Sequence, residues 1–293
     1  MDEQKTTGTL YIVATPIGNS RDMSERGREI LSTADIIAAE DTRRSVVLLN
    51  KLGIRGNSLS ANHKFNEYGK AKWFIEQLVS GKDIAVITDA GTPCISDPGN
   101  ELIKAAVEEG IRVVGVPGCC AAVNALAISG FDLSSFLFYG FFPRENADRR
   151  KLLEKMRGAD TRTFAFYESP KRIMELVDFL IESEAKLRLC LCNDMTKLHE
   201  MSFRGTPAQV KEQLLAKGNY DKGEYAIVAE VEPEYQFTKV EHTVSAEAML
   251  VDAMISGGVS GRDAIAAVLA DPNNSYSKNE LKAAALNLKR MFE

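Results

Sequence analysis

The sequence predicts an α/β protein built as two successive strand-and-helix halves, followed by a small helical extension. Three observations predict it. Short apolar, β-branched runs alternate with amphipathic stretches through residues 9–231, the pattern of a mostly parallel sheet covered by helices. The apolar runs of the first half end in turns rich in Gly, Pro and acidic residues, which places those turns on one sheet edge. A polar linker, 232–242, then precedes three amphipathic segments with helix-start signals.

In chain order, the first half predicts strands over 9–14, 35–39, 84–88 and 111–116. Helices over 25–32, 43–52, 67–80 and 99–109 lie between them. The second half begins after Gly130-Phe131-Asp132, with strands over 136–141, 163–167, 187–192 and 225–231. Its helices are predicted over 148–156, 170–183 and 207–217. The extension reads as helices over 245–255, 260–269 and 277–290. Ser277 with Glu280 forms a capping-box signature, and Ser260 is placed to cap the helix ahead of it. The expected domains are therefore 1–118, 119–232 and 243–293.

Composition narrows the function classes. A chain of 293 residues with 45% hydrophobic and 26% charged residues has the make-up of a soluble globular protein with more than one core. No run approaches the roughly 18 apolar residues of a membrane span, and Met1-Asp2-Glu3-Gln4-Lys5 lacks the order of a signal peptide. A cytoplasmic location is expected. The five cysteines, Cys94, Cys119, Cys120, Cys190 and Cys192, show no metal or redox spacing, and three histidines make a metal centre unexpected. A net charge of −5 argues against a globally basic nucleic-acid surface. Between Phe142 and Arg172, however, Lys and Arg outnumber Asp and Glu nine to five. That island is either a solvated helix face or a phosphate-contacting patch.

The motifs concentrate at strand ends. Asp89-Ala90-Gly91-Thr92-Pro93-Cys94-Ile95-Ser96-Asp97-Pro98-Gly99 follows directly on an apolar run, and its prolines and glycines build a rigid path with exposed amides and carbonyls. It is either a tight surface turn or one wall of a ligand site, with Ser96 to Gly99 starting the next helix. Thr15 to Asn19, Glu40 to Arg43 and Pro117 to Cys120 are its companions on the same edge. The common nucleotide phosphate loops, the zinc-protease pair and the serine nucleophile elbow are all missing. What remains is a pocket walled by backbone, suited to a polar, largely uncharged nucleoside-like cofactor.

Six ordered strings carry a resemblance: Ala14-Thr-Pro-Ile-Gly-Asn19, Ala39-Glu-Asp-Thr-Arg43, Asp89-Ala-Gly-Thr-Pro93, Ile95-Ser-Asp-Pro-Gly99, Tyr167-Glu-Ser-Pro170 and Thr196-Lys197. In this order and spacing they resemble the ribosomal RNA small-subunit methyltransferase I family, of the tetrapyrrole-methylase fold, over residues 9–230. The extension from Ser245 resembles that family's C-terminal domain. The resemblance implies two α/β domains with S-adenosylmethionine in the cleft between them, a homodimer, no metal and no membrane. The implied activity is methylation of a cytidine ribose 2′-oxygen in the decoding region of 16S rRNA or the assembled small subunit. By the same resemblance Pro16, Gly18, Asp89, Ala90, Gly91, Ile95, Cys119 and Cys120 line the cofactor, with Tyr167, Leu191 and Ala226 from the second domain.

The chemistry adds its own demands. A sulfonium methyl is a good electrophile, so alignment of the attacking oxygen matters most. A ribose hydroxyl is a weak acid, so a general base adds roughly 10²- to 10⁴-fold. Glu40, Asp41, His63 and Glu168 are the candidates, each of which could instead cap a helix or pair with a neighbouring cation. Arg43, Arg44, Lys171, Arg172 and Lys197, with Arg149 and Arg150 of the basic island, are placed to hold RNA phosphates, which position a substrate without choosing its sequence.

Departures from the family pattern bear on substrate. His63-Lys64-Phe65-Asn66 replaces a His-Glu-His-Asn string, Asn193-Asp194 replaces Arg-Glu, and Cys94, Cys119 and Cys120 replace small residues. Two other readings stay open: a tetrapyrrole or small-molecule methyltransferase, and a diverged paralogue that binds S-adenosylmethionine or RNA without catalysis.

Overall fold

The computed structural model describes residues 7–56, 58–63, 67–236, 244–271, 274 and 276–292. Two compact units result, 1–236 and 237–293. In the first, chain order runs β1 (Leu10–Val13), α1 (Glu25–Thr33), β2 (Ile36–Ala39), α2 (Thr42–Leu52), β3 (Ser58–Ala61), α3 (Glu67–Val79), β4 (Ile84–Ile87), α4 (Asn100–Glu108) and β5 (Val113–Val116). These strands form one all-parallel sheet in the order β3-β2-β4-β1-β5. β2 and β4 are buried along their whole length, as expected where helices cover both faces of a parallel sheet. One face packs Val13, Ile37, Ala39, Ala85 and Ile87 against α1 and α2, and the other packs Leu10, Ile36, Ile84 and Val86 against α3 and α4.

The chain continues through α5 (Ala121–Ser129), β6 (Phe136–Phe141), α6 (Asn146–Arg157), β7 (Thr163–Glu168), α7 (Ile173–Glu182), β8 (Leu187–Asn193), β9 (Met201–Gly205), α8 (Pro207–Lys217) and β10 (Tyr225–Val231). The second sheet has the order β6-β7-β10-β8-β9, and only β6 and β7 run parallel. The expectation of mostly parallel strands fails here because β10 inserts between β7 and β8, antiparallel to both. Alternate residues face opposite cores. Phe164, Phe166, Leu189, Leu191 and Ile227 meet α6, α7 and α8, whereas Ala165, Cys190, Cys192, Ala226 and Val228 meet Ala125 and Leu126 of α5. Ile17, from the turn after β1, joins that second cluster and ties the first sheet's edge to the second sheet.

In the second unit, α9 (Ala246–Gly257), α10 (Gly261–Ala270) and α11 (Lys278–Phe292) pack around Leu250, Ala264, Val268 and Leu281. The Ser277 and Glu280 capping box forms, with Ser277 N donating to Glu280 Oε2 at 2.7 Å and Glu280 N to Ser277 Oγ at 3.4 Å. Ser260 occupies its N-cap position without bonding the helix backbone, and its hydroxyl donates to Asp263 Oδ2 at 2.7 Å. Among the described residues no helix is long and apolar enough to cross a membrane.

Candidate active site

Because the first sheet is parallel, the turns after its strands gather at one edge. Hydrogen bonds stitch them together. Thr15 N donates to Gly91 O at 2.8 Å and Gly91 N to Thr15 O at 3.0 Å, Thr15 Oγ1 donates to Thr88 O at 3.2 Å, and Thr92 Oγ1 donates to Cys119 O at 2.9 Å. Across from this wall stands the 194–197 loop of the second sheet, where Thr196 Oγ1 accepts from Asn19 N at 3.1 Å. Gly18 fits between the walls only because it lacks a side chain: a Cβ there would lie 2.6 Å from Lys197 Cγ and 2.8 Å from Thr196 Oγ1.

The two walls enclose a cavity of about 640 Å³. Of the six non-glycine residues with positive φ among the described residues, Cys94, Ser96, Asp194 and Thr196 lie on these two loops. Each such residue costs on the order of 1–3 kcal/mol, and strain of this kind collects where a loop is shaped for a ligand.

Three carboxyl groups line the first wall. Glu40 Oε2 accepts from Thr88 Oγ1 at 2.6 Å and from Asp89 N at 3.3 Å. Asp89 Oδ2 accepts from Arg44 Nη1 at 2.9 Å, while Oδ1 is buried and has no partner among the described residues. Burial, then the Glu40 charge, pushes the Asp89 carboxyl up from its ordinary value. The third, Asp97, makes no ion pair among the described residues. Burial first, then the charges of Glu40 and Asp89 and against the Thr88 hydrogen bond, pushes its carboxyl up from 3.8 to about 6. Opposite them, the Tyr167 hydroxyl accepts from Ala122 N at 3.2 Å, and burial pushes its pKa up to about 12, so it stays neutral.

Of the residues singled out above, the base candidates Glu40 and Glu168, the cofactor candidates Pro16, Gly18, Asp89, Ala90, Gly91, Ile95, Cys120, Tyr167 and Ala226, and the phosphate candidates Arg44 and Lys197 line the cavity. Their states differ. Glu168 is buried with Oε1 bonded to Ser169 N at 2.6 Å, to Arg172 Nε at 2.8 Å and to Arg172 Nη2, while Oε2 has no partner among the described residues. Lys197 bonds Asp194 at 2.7 Å and Glu224 at 2.8 Å, so its charge is already matched.

Other expected site residues lie elsewhere. Leu191 faces the opposite core, since it is one residue out of phase with Cys190 and Cys192 on β8. Cys119 takes part through its carbonyl, with its thiol turned to Asp22 O at 3.7 Å. Asp41 caps α2, accepting from Arg43 N at 2.9 Å, and the Arg43 guanidinium holds its carboxyl down to about 2. His63 follows β3 outside the cavity lining, and Arg43 is turned out to solvent.

Arg149 is the clearest correction: it is 1% exposed, donates to Pro143 O at 2.9 Å, pairs with Glu175 at 2.9 Å and packs on Phe179. It cannot touch a phosphate backbone; its neighbour Arg150 is exposed. Lys171 and Arg172 line a second cavity beside the first.

The departures also find places. Asn193 is fully buried, donating to Lys222 O at 3.4 Å and Glu224 O at 3.3 Å, and accepting from Lys217 Nζ. Asp194 holds Lys197. Lys64, Phe65 and Asn66 lie outside the described residues.

Asp97 escaped the sequence reading, which placed it at a helix start. The helix begins at Asn100, with Gly99 as its N-cap. Pro98 was the available signal, since a residue before proline is biased away from helix.

Residues 9–211 match the family of tetrapyrrole (corrin/porphyrin) methylases. The chain is 43% identical over 229 residues to ribosomal RNA small subunit methyltransferase I of Haemophilus influenzae, covering 78% of this chain and 80% of that one. It is 38% identical over 273 residues to the protein of the same name from Halalkalibacterium halodurans, covering 90% of each. Among solved structures, diphthine synthase superposes with a TM-score of 0.56 at 12% identity, covering 76% of this chain and 90% of that one. A cobalt precorrin-4 methyltransferase superposes with a TM-score of 0.53 at 17% identity, covering 76% and 94%. Those two likenesses show the fold. With a parallel sheet whose edge turns face a second, mixed sheet across one cavity, the chain belongs to the tetrapyrrole (corrin/porphyrin) methylase family and, within it, to the ribosomal RNA small subunit methyltransferase I proteins.

Proposed function

We propose that this chain transfers a methyl group from S-adenosylmethionine to the ribose 2′-oxygen of a cytidine in the decoding region of 16S rRNA, acting in the cytoplasm as a homodimer. The observation that carries the reading is the main cavity. Its volume of about 640 Å³ is that of a small-molecule site, its first wall is built of three stitched turns that carry Glu40, Asp89 and Asp97, and Asp89 Oδ1 is an acceptor with no partner among the described residues. The carboxyl groups of Glu40, Asp89 and Asp97 on that wall fit the hydroxyl and amine donors of a nucleoside cofactor. Pro16, Gly18, Asp89, Ala90, Gly91, Ile95, Cys120, Tyr167 and Ala226 are the residues placed to hold it. The names of the relatives support rRNA as the acceptor.

When bound, the cofactor supplies an electrophilic methyl on a sulfonium centre. The protein's own task is to orient the acceptor hydroxyl and receive its proton. Asp97 fits that second task. Its carboxylate is free of any cation among the described residues and sits at a pKa of about 6, close to working pH, whereas Asp41 is held down to about 2 and Glu168 is locked to Arg172. Tyr167, held neutral, serves as a hydrogen-bonding wall and does not accept the proton. Exposed Phe136 and Leu137 on the edge strand β6 support a second copy of the chain as partner.

The test is direct. Small subunits from a strain lacking this methyl, mixed with the protein and labelled cofactor, should gain one ribose-methylated cytidine. Measured cofactor binding with no label in 16S rRNA or subunits would overturn the reading.

A further inference from the structure

A second cavity of about 580 Å³ opens beside the first, walled by the 141–144 turn after β6 and by Ser169, Lys171 and Arg172 after β7. Phe141 and Ser169 line both cavities, so the two share a wall. The side cavity gathers three cations. Arg144 and Lys171 are exposed and make no ion pair among the described residues. Arg172 is anchored to Glu168 through Nε and Nη2, which leaves Nη1 buried with no partner among the described residues. Between the cavities, Phe141 meets Tyr167 edge-on, with centroids 5.8 Å apart, and is 56% exposed.

An open aromatic face flanked by unpaired cations is the combination that holds single-stranded nucleic acid: the ring stacks a base and the cations take its phosphate. The chain's net charge of −5 makes such a local cluster necessary, because no general attraction to a polyanion exists. Resting on the RNA reading above, we propose that the side cavity is a subsite for the nucleotide next to the target, its base stacked on Phe141 and its phosphate held by Arg144 and Lys171. This subsite aims the neighbouring ribose into the main cavity.

The experiment measures binding of small subunits, and of 16S rRNA alone, across a salt series, with melting temperature confirming folding. Phe141→Ala should weaken binding about fivefold or more without changing the salt slope, and Phe141→Trp should restore it. Arg144→Ala and Lys171→Ala should each weaken binding and flatten the logarithmic salt slope by about 0.7. Lys104→Ala, an exposed cation on α4, should do neither. Affinity for S-adenosylhomocysteine should stay at the wild-type value in the Arg144 and Lys171 variants. Wild-type-like RNA binding and slopes in all variants of an enzyme that still methylates rRNA would overturn the subsite and leave the RNA reading standing. Conversion of the Phe141 or Arg144 variant to monomer with RNA binding intact would assign the face to a second copy and overturn the subsite. Wild-type protein that binds neither subunits nor 16S rRNA would overturn both.

Discussion

Replacing Asp97 by Asn removes a charge while keeping the shape of the side chain, and the protein should become more stable and much less active. The carboxyl is raised from 3.8 to about 6 by burial and by Glu40 and Asp89, against the Thr88 hydrogen bond. A folded-state value above the unfolded one means that the stabilising contribution is complete below the unfolded pKa and is lost as pH rises through about 6. Two pKa units correspond to about 3 kcal/mol, which solvent reaching this partly open carboxyl cuts to roughly 1–2 kcal/mol. At pH 8, therefore, Asp97→Asn should raise the melting temperature by a few degrees, at roughly 2–4 °C per kcal/mol, and near pH 4 that advantage should vanish. Loss of the proton acceptor should lower the methylation rate by roughly 10²- to 10⁴-fold. The wild-type rate should climb as pH rises through about 6 and then level off, a step the variant should lack. Melting curves at two pH values and single-turnover methylation across the pH range check both halves. An active variant, or one destabilised at pH 8, would refute the assignment.

Two further outcomes follow from the packing. Gly18→Ala places a Cβ 2.6 Å from Lys197 Cγ and 2.8 Å from Thr196 Oγ1, so the two walls must part. Overpacking of this kind costs about 1–3 kcal/mol, and calorimetry should show cofactor affinity reduced roughly 5- to 100-fold. Arg149→Met breaks the bonds to Pro143 O and Glu175 and should lower stability by about 2–4 kcal/mol in a denaturant titration. RNA affinity per folded molecule should stay unchanged, in contrast to variants at Lys171.

How legible a strand was depended on how much of it is buried. Ile36–Ala39 and Ile84–Ile87 are buried at every position and announce themselves as apolar runs. β3 and β9, which sequence reasoning missed, are the outer strands of their sheets, and Ser58-Leu59-Ser60-Ala61 and Met201-Ser202-Phe203-Arg204-Gly205 carry the mixed composition of half-solvated edges. α5 was missed for the opposite reason. Ala121 to Ser129 is small and apolar on nearly every face, its outer side carrying exposed Val123 and Ile128, and without a polar side there is no helical period to read. Strand direction in the second sheet was out of reach, since alternation of helix and strand says nothing about where the last strand inserts.

The site follows the same logic one level up. Turns of Gly, Pro and acid were legible because backbone geometry is written into residue type: Gly18 can only be small, and Pro98 can only bend the chain before a helix. The charge states were not, because they belong to environments made by several elements at once. Arg149 counts toward a basic island in one dimension, yet in three it is the buried tie between α6 and α7. Asp97 reads as part of a turn, yet its raised carboxyl comes first from partial burial against the cavity wall and then from the charges of Glu40 on the β2 turn and Asp89 on the β4 turn. The strained residues Cys94 and Ser96 precede Asp97 in the chain and fix the path that puts it there. Glycine adopts these positive φ values without strain, so Cys94→Gly or Ser96→Gly should keep both the fold and the path, leaving the midpoint of the pH–rate profile near 6, and a midpoint that falls to the ordinary carboxylate range would refute this account of the loop.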